Sequence, residues 1–142
     1  MTLIIDTGPL VAAADEDDTN RAWIEETLRS ETGALVVPAP ITAEVDYLLG
    51  ERLGPAPRRA FIDDLASGRF LVECLESDDY AAIAGLERRY ADLDPGLADL
   101  SIVIMAKRFS TRRIVTFDER HFRAIRPLQG GTFTLLPADA RQ

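Results

Sequence analysis

Short apolar runs alternate with longer segments of helical periodicity along the whole chain, and this alternation limits the possible folds more than any other feature. The first run, Leu3–Ile5, is continuous, as expected of a strand that is buried on both faces. Four further runs have a similar character: 34–37, 70–72, 113–116 and 133–136. Strands that alternate with helices form right-handed βαβ units with parallel strands. The sequence therefore predicts an α/β fold with a mostly parallel central sheet of four to five strands flanked by helices.

The segments between these runs carry apolar residues at helical spacing. In the clearest of them, which we expect to extend from about Ile41 to Leu53, apolar residues recur at i, i+4, i+7 and i+8. Further helices are predicted after the first strand, around Trp23, and over 57–66, 77–90 and 97–109. The chain has no internal repeat and no linker. We therefore expect one domain over 1–137 and a C-terminal tail over 138–142.

Composition narrows the range of partners. The chain has 142 residues and a formal net charge of −8, which argues against nucleic-acid binding by a uniformly basic surface. Such binding stays compatible with the charge if the acidic residues gather around cations. Cys74 is the single cysteine, so no internal disulfide forms, and residues 1–6 lack the basic start of a signal peptide. Because no stretch approaches the roughly 20 apolar residues of a membrane span, we expect a cytoplasmic protein without membrane contact.

Four acidic residues follow predicted strands closely. Asp6 comes directly after the first strand, and Asp118 lies two residues past the fourth. Glu44 stands in the first turn of the helix after the second strand, and Asp99 stands in the first turn of a helix that is apolar nearly all round. Ligands of parallel sheets bind beyond the carboxyl ends of the strands. We therefore expect the four carboxylates to converge at that edge of the sheet.

Carboxylates that cluster repel one another unless cations hold them, and a carboxylate on a buried face, such as that of Asp99, is costly without a partner. Hard oxygen ligands suit Mg²⁺, with Mn²⁺ as an alternative, and the sequence has no His or Cys cluster for Zn²⁺. Divalent ions held in this way support phosphodiester hydrolysis. Three of the acids also have an ordinary use, Asp6 and Asp118 as helix caps and Glu44 as a complement to the helix dipole.

Four sequence blocks, in this order and spacing, resemble the PIN-domain toxins called VapC: DTGPL at 6–10, APITAEVDYLL at 39–49, GLADLSIVIMAKR at 96–108 and TFDERHF at 116–122. The resemblance extends over the chain to Pro137. It implies a cytosolic α/β ribonuclease that depends on Mg²⁺, cuts tRNA or the sarcin–ricin loop of ribosomal RNA, and is neutralised by a VapB antitoxin. It also implies that Asp6, Glu44, Asp99 and Asp118 are the catalytic residues that hold the metal.

The resemblance suggests supporting roles for a few other residues. Thr7, Ser101 and Thr116 fall where similar proteins carry hydroxyls beside the acids. Hydroxyls in such places either orient carboxylates or only satisfy the backbone. Asn20 stands where many similar proteins carry a His or an Asn, and we assign it no role. We also expect the protein to form a homodimer.

Other polar residues allow two interpretations. Five arginines form a local basic cluster that either contacts RNA phosphates beside the acidic pocket or serves solubility: Arg112, Arg113, Arg120, Arg123 and Arg126. His121, the single histidine, is interpreted as a surface residue of an exposed helix rather than as a general base. Asp46 and Asp94 lie near the key acids in sequence, but we expect both to be solvated.

Two other functions compete with an endoribonuclease toxin. One is phosphoryl transfer on a similar sheet, although a haloacid-type phosphatase would need an Asp where Gly8 stands. The other is a non-catalytic module whose acidic cluster contacts a basic partner. For the antitoxin, the predicted helices 41–53 and 57–66 offer a docking groove, because their apolar residues exceed what one sheet face needs. The alternative is that these residues are core or serve a homodimer.

Overall fold

Five parallel strands form one sheet in the computed structural model, which describes residues 1–140. Helices separate the strands, as the sequence pattern predicts, so the expected α/β fold is confirmed and every strand pairing is parallel. In chain order the elements are β1 (Leu3–Ile5), α1 (Thr7–Ala14), α2 (Arg21–Ser30), β2 (Leu35–Pro38), α3 (Ala39–Arg52), α4 (Pro55–Ser67), β3 (Leu71–Glu73), α5 (Ser77–Arg89), a 3-10 helix (Ala91–Leu93), α6 (Leu97–Arg108), β4 (Arg113–Val115), α7 (Glu119–Ala124) and β5 (Thr134–Leu136).

The strand order is β3-β2-β1-β4-β5, which places β1 at the centre. The chain winds outward from β1 through β2 to β3, and it then returns past β1 to form β4 and β5 on the other side. In sheets of this kind, ligands bind where the order reverses, beyond the carboxyl ends of the two strands concerned. Here those strands are β1 and β4. Asp6 follows the first of them directly, and Asp118 follows the second by three residues.

Apolar residues of the sheet and of α6 make up much of the core. All three residues of β1 are fully buried, as the continuous apolar run predicts. Every residue of α6 from Leu100 to Ala106 is buried, and this helix packs against β1 and β2. Removing apolar surface from water stabilises a fold by roughly 25 cal/mol per Å². The packing of α6 therefore fixes its first turn, which contains Asp99, relative to the sheet.

Two differences from the predicted pattern affect the residues around the four acids. Helix α3 begins at Ala39 rather than Ile41, because Pro40 fits the first turn of a helix, where its missing N–H is not needed. Glu44 therefore lies in the second turn of α3 and not in the first. The 3-10 helix Ala91–Leu93 is not expected from the sequence, since three residues are too few to show a periodicity.

The apolar residues of the α3–α4 hairpin mostly serve as core. Leu49 is fully buried and Phe61 is only 6% exposed, which agrees with the second of the two interpretations above. A groove of about 370 Å³ lies where α4 faces α1 and α2, and Phe61 is among the residues that line it. Its walls include Leu10, Leu28 and Ala60.

The last described residues contact α7. Asp139 accepts hydrogen bonds from the guanidinium of Arg123, at 2.6 Å, and from the backbone N–H of Leu135, at 2.8 Å. A domain boundary at Pro137 stays a prediction, and the last two residues of the predicted tail 138–142 lie outside the described residues. Within residues 1–140, no helix has both the length and the apolar character needed to cross a membrane.

Candidate active site

All four acids that the sequence singles out line one pocket at the carboxyl edge of the sheet. The pocket has a volume of about 650 Å³, and residues of α1, α3, α6 and the segment after β4 surround it. Because these elements are far apart in the chain, only the parallel sheet and the buried α6 bring the acids together. We call this space the acidic pocket; its lining residues are Asp6, Thr7, Gly8, Glu44, Leu48, Arg52, Gly96, Leu97, Ala98, Asp99, Phe117 and Asp118.

Asp6 is the most buried of the four acids and also caps α1. Its Oδ1 accepts a hydrogen bond from the Thr7 backbone N–H at 2.8 Å, and its Oδ2 accepts one from the Thr116 hydroxyl at 2.7 Å. Burial raises the pKa of Asp6 from its ordinary 3.8 to about 6, because desolvation penalises the charged form more than these two hydrogen bonds stabilise it. Negative charge on Asp99 and Asp118 adds to the rise. The capping role and the pocket role therefore coexist.

Thr116 connects Asp6 to Asp118. Its hydroxyl donates to the Asp6 carboxylate and accepts a hydrogen bond from the backbone N–H of Asp118 at 2.9 Å. The side chain is almost completely buried at the end of β4. One hydroxyl therefore fixes the positions of two acids relative to each other. Of the two roles considered for Thr116, this contact matches the orientation of a carboxylate.

His121 belongs to the acidic cluster, and the interpretation of this histidine as a surface residue is wrong. Its Nδ1 lies 2.6 Å from Oδ2 of Asp118 and 3.6 Å from Oδ2 of Asp99, and only 15% of its side chain is exposed. Its Nε2 lies 2.9 Å from the carbonyl oxygen of Leu93. That carbonyl comes from the 3-10 helix, which the sequence pattern does not predict. Asp118 in turn caps α7 by accepting the backbone N–H of His121 at 3.0 Å.

The contacts of His121 require it to bring a proton into the cluster. A carbonyl oxygen can only accept, so Nε2 carries a hydrogen that it donates to Leu93. The short contact between Nδ1 and the Asp118 carboxylate then needs a second proton between the two atoms. The hydrogen bond to Asp118 accordingly raises the pKa of His121 above its ordinary 6.5, against the opposing effect of burial. In its protonated form His121 offsets part of the negative charge of the pocket.

Asp99 stands at the first turn of α6, where the helix enters the core. Its Oδ2 is 3.4 Å from the backbone N–H of Gly96, a long contact. Burial raises the pKa of Asp99, while the Gly96 contact and the nearby His121 act in the opposite direction. The carboxylates of Asp99 and Asp118 and a ring nitrogen of His121 all lie within 4.8 Å of one another, close enough to share one ion.

Glu44 and Arg52 face the acidic pocket from α3. Together with Leu48 they form a stripe at i, i+4 and i+8, so successive turns of one helix present an acid, an apolar residue and a base to the same pocket. Arg52 is not among the residues predicted above. Its spacing from Glu44 was the available signal, because residues eight apart on a helix share a face.

The two remaining hydroxyls differ from each other. The Thr7 hydroxyl is buried beside the pocket and has no hydrogen-bond partner among residues 1–140. The Ser101 hydroxyl donates to the Ala98 carbonyl at 2.6 Å, so it satisfies the helix backbone and does not orient a carboxylate. Asp6 and Glu44 line the same pocket but are not part of the group that lies close enough to share one ion. The pocket offers several carboxylate oxygens, which are the donors that Mg²⁺ and Mn²⁺ prefer. The residues present therefore fit a divalent cation.

The arginine cluster does not form a rim around the pocket, and that interpretation is wrong for Arg112 and Arg113. Both lie at the amino end of β4, the opposite edge of the sheet from the acids. Arg113 pairs with Glu31 at 2.8 Å, and Arg112 donates to the Gly130 carbonyl at 2.7 Å. A charge pattern in the sequence does not reveal these internal partners.

Of the other three candidate arginines, Arg120 and Arg123 lie on α7 and Arg126 lies just after it. Arg123 is held by Glu119, at 3.1 Å, and by Asp139. Arg120 and Arg126 are exposed and form no ion pair within residues 1–140, so these two candidates of the original five keep a free guanidinium. Asp46 and Asp94 do not line the acidic pocket, in line with expectation.

Comparisons with known proteins give one close relative in sequence. The chain is 37% identical to ribonuclease VapC26 of Mycobacterium tuberculosis (strain ATCC 25618 / H37Rv) over 135 residues, which are 95% of this chain and 100% of the relative. No family model matches the sequence.

Two solved structures share the fold. VapC20 of Mycobacterium tuberculosis, described as a sarcin–ricin loop cleaving toxin, matches with a TM-score of 0.78 at 16% identity, over 86% of this chain and 94% of that chain. VapBC2 from Rickettsia felis, bound to a DNA fragment from its promoter, matches with a TM-score of 0.69 at 17% identity, over 95% of this chain and 97% of that chain. At such low identity these two likenesses show the fold alone.

Proposed function

Because the chain belongs to the VapC family of ribonucleases, we propose that it is a metal-dependent endoribonuclease and the toxin of a type II toxin–antitoxin pair. The observation that carries this proposal is the acidic pocket, in which four carboxylates from four parts of the chain line one space at the switch point of a parallel sheet. A non-catalytic module has no need to bury one of these acids and raise its pKa to about 6.

We propose that Asp6, Glu44, Asp99 and Asp118 hold Mg²⁺, or Mn²⁺ in its place. A divalent cation bound there would supply the Lewis acidity that phosphodiester hydrolysis requires. The buried carboxylate of Asp6 suits this role. Its pKa is raised because its two hydrogen bonds do not balance the cost of burying the negative charge, and a cation would supply the missing positive charge. The hydroxyl of Thr116 contacts both Asp6 and Asp118, and these hydrogen bonds favour fixed positions for the two proposed ligands.

Other residues in or near the acidic pocket are proposed to bind the RNA or to position the acids. Arg52 is the one basic residue among those that line the acidic pocket, so it is suited to bind a phosphate next to the one being cleaved. Arg120, which is exposed on α7, is a second candidate. His121 holds Asp118 against the 3-10 helix through its two ring nitrogens, which keeps Asp118 and Asp99 close together.

For the substrate, we propose a structured cellular RNA, either tRNA or a loop of ribosomal RNA. VapC26 is named a ribonuclease, and VapC20 is described as cleaving the sarcin–ricin loop. The experiment is to incubate the purified chain with total cellular RNA and Mg²⁺ and to map the new RNA ends. We expect cleavage at one or a few positions within unpaired segments. The absence of any new end, in RNA from several sources, would contradict the proposal.

A VapB-type antitoxin is the proposed protein partner, and the neighbour VapBC2 is such a toxin–antitoxin complex. The apolar groove between α2 and α4 supports a docking site for an amphipathic helix, because its floor is apolar while Arg21, Glu25, Asp64 and Arg69 lie along it. A cytoplasmic location and a homodimer complete the proposal and rest on the family likeness.

A charge placed in this groove is expected to weaken antitoxin binding at least tenfold. Ala60 lines the groove and is exposed, so Ala60→Glu should leave the fold intact while it places a carboxylate against the apolar face of the partner helix. The matched control is Ala66→Glu, an exposed site on the same helix that does not line the groove. Binding to the cognate antitoxin is measured by calorimetry. Equal affinities for the two variants would place the docking site elsewhere.

A further inference from the structure

Phe117 is an exposed aromatic residue that separates the acidic pocket from a second cavity. It stands between Thr116 and Asp118, it is 41% exposed, and it lines both spaces. Its ring rests against Gly8 in the first turn of α1, where a Cβ would lie 3.1 Å from the ring. The missing side chain at position 8 therefore allows the ring to lie at the edge of the acidic pocket.

The second cavity, which we call the side cleft, has a volume of about 710 Å³. Its walls are mainly apolar or aromatic, and Glu119 is the one charged side chain among its described lining residues. A phosphate group would be repelled by this carboxylate, whereas a flat neutral group would match the walls. The lining residues are Asn20, Trp23, Thr116, Phe117, Glu119, Pro137, Ala138 and Ala140.

Asn20 supplies an uncommitted amide at the mouth of the side cleft. It occupies the position before α2 where an Asn usually caps the helix, but its side chain makes no capping hydrogen bond. The residue is exposed. An amide in this state can both donate and accept, so it can pair with the polar edge of a planar heterocycle that rests on an aromatic ring.

We propose that the side cleft binds one unpaired nucleobase of the RNA substrate, stacked on Phe117, next to the phosphate that lies in the acidic pocket. This inference rests on the proposed ribonuclease function and adds the recognition of a splayed base to it. Stacking of a base on an aromatic side chain is a common means of binding single-stranded RNA. A base within a duplex is not available to the cleft. The side cleft therefore directs cleavage to loops and other unpaired segments.

The test uses the intrinsic fluorescence of Trp23, which is the only tryptophan of the chain and lines the side cleft. The probe is adenosine, a base without a phosphate, titrated into the whole chain. We expect saturable quenching with adenosine and none with ribose. Phe117→Leu, which keeps an apolar side chain but removes the ring, should weaken adenosine binding about tenfold, or ~1.4 kcal/mol, while Phe117→Tyr should bind as the wild type does.

Two further variants keep the test decisive. Tyr80→Leu removes an exposed aromatic residue of α5 that lines neither cavity, and it should bind adenosine as the wild type does. Asn20→Ala should weaken adenosine binding several-fold. This variant provides the test if Phe117→Leu melts at a lower temperature than the wild type. Quenching that ribose produces equally, or equal affinities of the Phe117→Leu, Asn20→Ala and wild-type chains, would overturn the proposal.

The outcome is separable from that of the nuclease proposal, because adenosine has no phosphodiester to cleave. If the chain cleaves RNA but adenosine does not bind, the side cleft fails as a base site and the ribonuclease function stands. If adenosine binds as expected but no RNA is cleaved, the base site stands and the ribonuclease function fails.

Discussion

Replacing Asp99 by Asn is expected to lower the rate of RNA cleavage by about a thousandfold, the size of effect seen when one preorganised electrostatic group is removed from an active site. Asp99 is held by the buried helix α6, and its carboxylate lies within 4.8 Å of that of Asp118, in the same pocket as Glu44. Asn preserves the shape of the side chain but removes a charged ligand of the proposed metal. The measurement is the single-turnover rate of RNA cleavage at saturating Mg²⁺.

The matched control for this variant is Asp94→Asn. Asp94 is exposed, lies five residues before Asp99 in the chain, and has a left-handed backbone with φ of 49° that Asn adopts readily. It should cleave RNA at the wild-type rate. A rate for Asp99→Asn within about threefold of the control would show that Asp99 is not part of the catalytic machinery.

The metal-free chain is expected to lose stability as the pH rises from about 4 to about 6, with Asp6 as a principal cause. The folded pKa of Asp6, about 6, lies above its ordinary 3.8, so the folded state binds a proton that the unfolded state releases. This stabilisation is complete below pH 3.8 and is lost as the pH passes through 6. At pH 7 the ionised carboxylate costs the metal-free fold about 3 kcal/mol.

Asp6→Asn should remove most of this pH dependence. Asn can still accept the Thr7 N–H, and its Nδ2 can donate to the Thr116 hydroxyl, which reverses the bond that this hydroxyl donates to Asp6 but keeps the contact without the buried charge. Urea unfolding in chelator, from pH 4 to pH 7.5, gives the free energy of unfolding of each variant. We expect Asp6→Asn to be more stable than the wild type at pH 7, and Asp99→Asn to be at least as stable. A clear loss of stability in Asp6→Asn would mean that Asp6 acts chiefly as a structural cap.

Mg²⁺ should reverse the order of the wild type and Asp6→Asn. A cation that binds only the folded state raises the free energy of unfolding by an amount that grows with the logarithm of its affinity, and the wild type keeps the carboxylate that binds it. The wild type should therefore gain more stability from added Mg²⁺ than either Asn variant does.

The acids of the site were predictable from sequence because their placement follows from the sheet. A residue directly after a buried strand, such as Asp6, must lie at the carboxyl edge, and the apolar surroundings of Asp99 show in the spacing of α6 alone. The periodicity of α3 likewise contains the signal for Arg52. The local sequence pattern and the strand order together thus predict the position of most functional residues that line the acidic pocket.

His121 and the arginines were not predictable in this way, because their partners are distant in sequence. The Nε2 of His121 meets the carbonyl of Leu93, 28 residues earlier, in a 3-10 helix too short to show a period. Arg113 meets Glu31, 82 residues earlier, at the amino edge of the sheet. A single charged residue in a sequence gives no indication of such a partner.

The most direct measurement is cleavage of RNA by the wild-type chain in excess chelator and after Mg²⁺ or Mn²⁺ is added back. If the four carboxylates act by holding a divalent cation, cleavage stops in chelator, returns with either cation, and does not return for Asp99→Asn. Cleavage at the full rate in excess chelator would contradict a metal-dependent site in the acidic pocket.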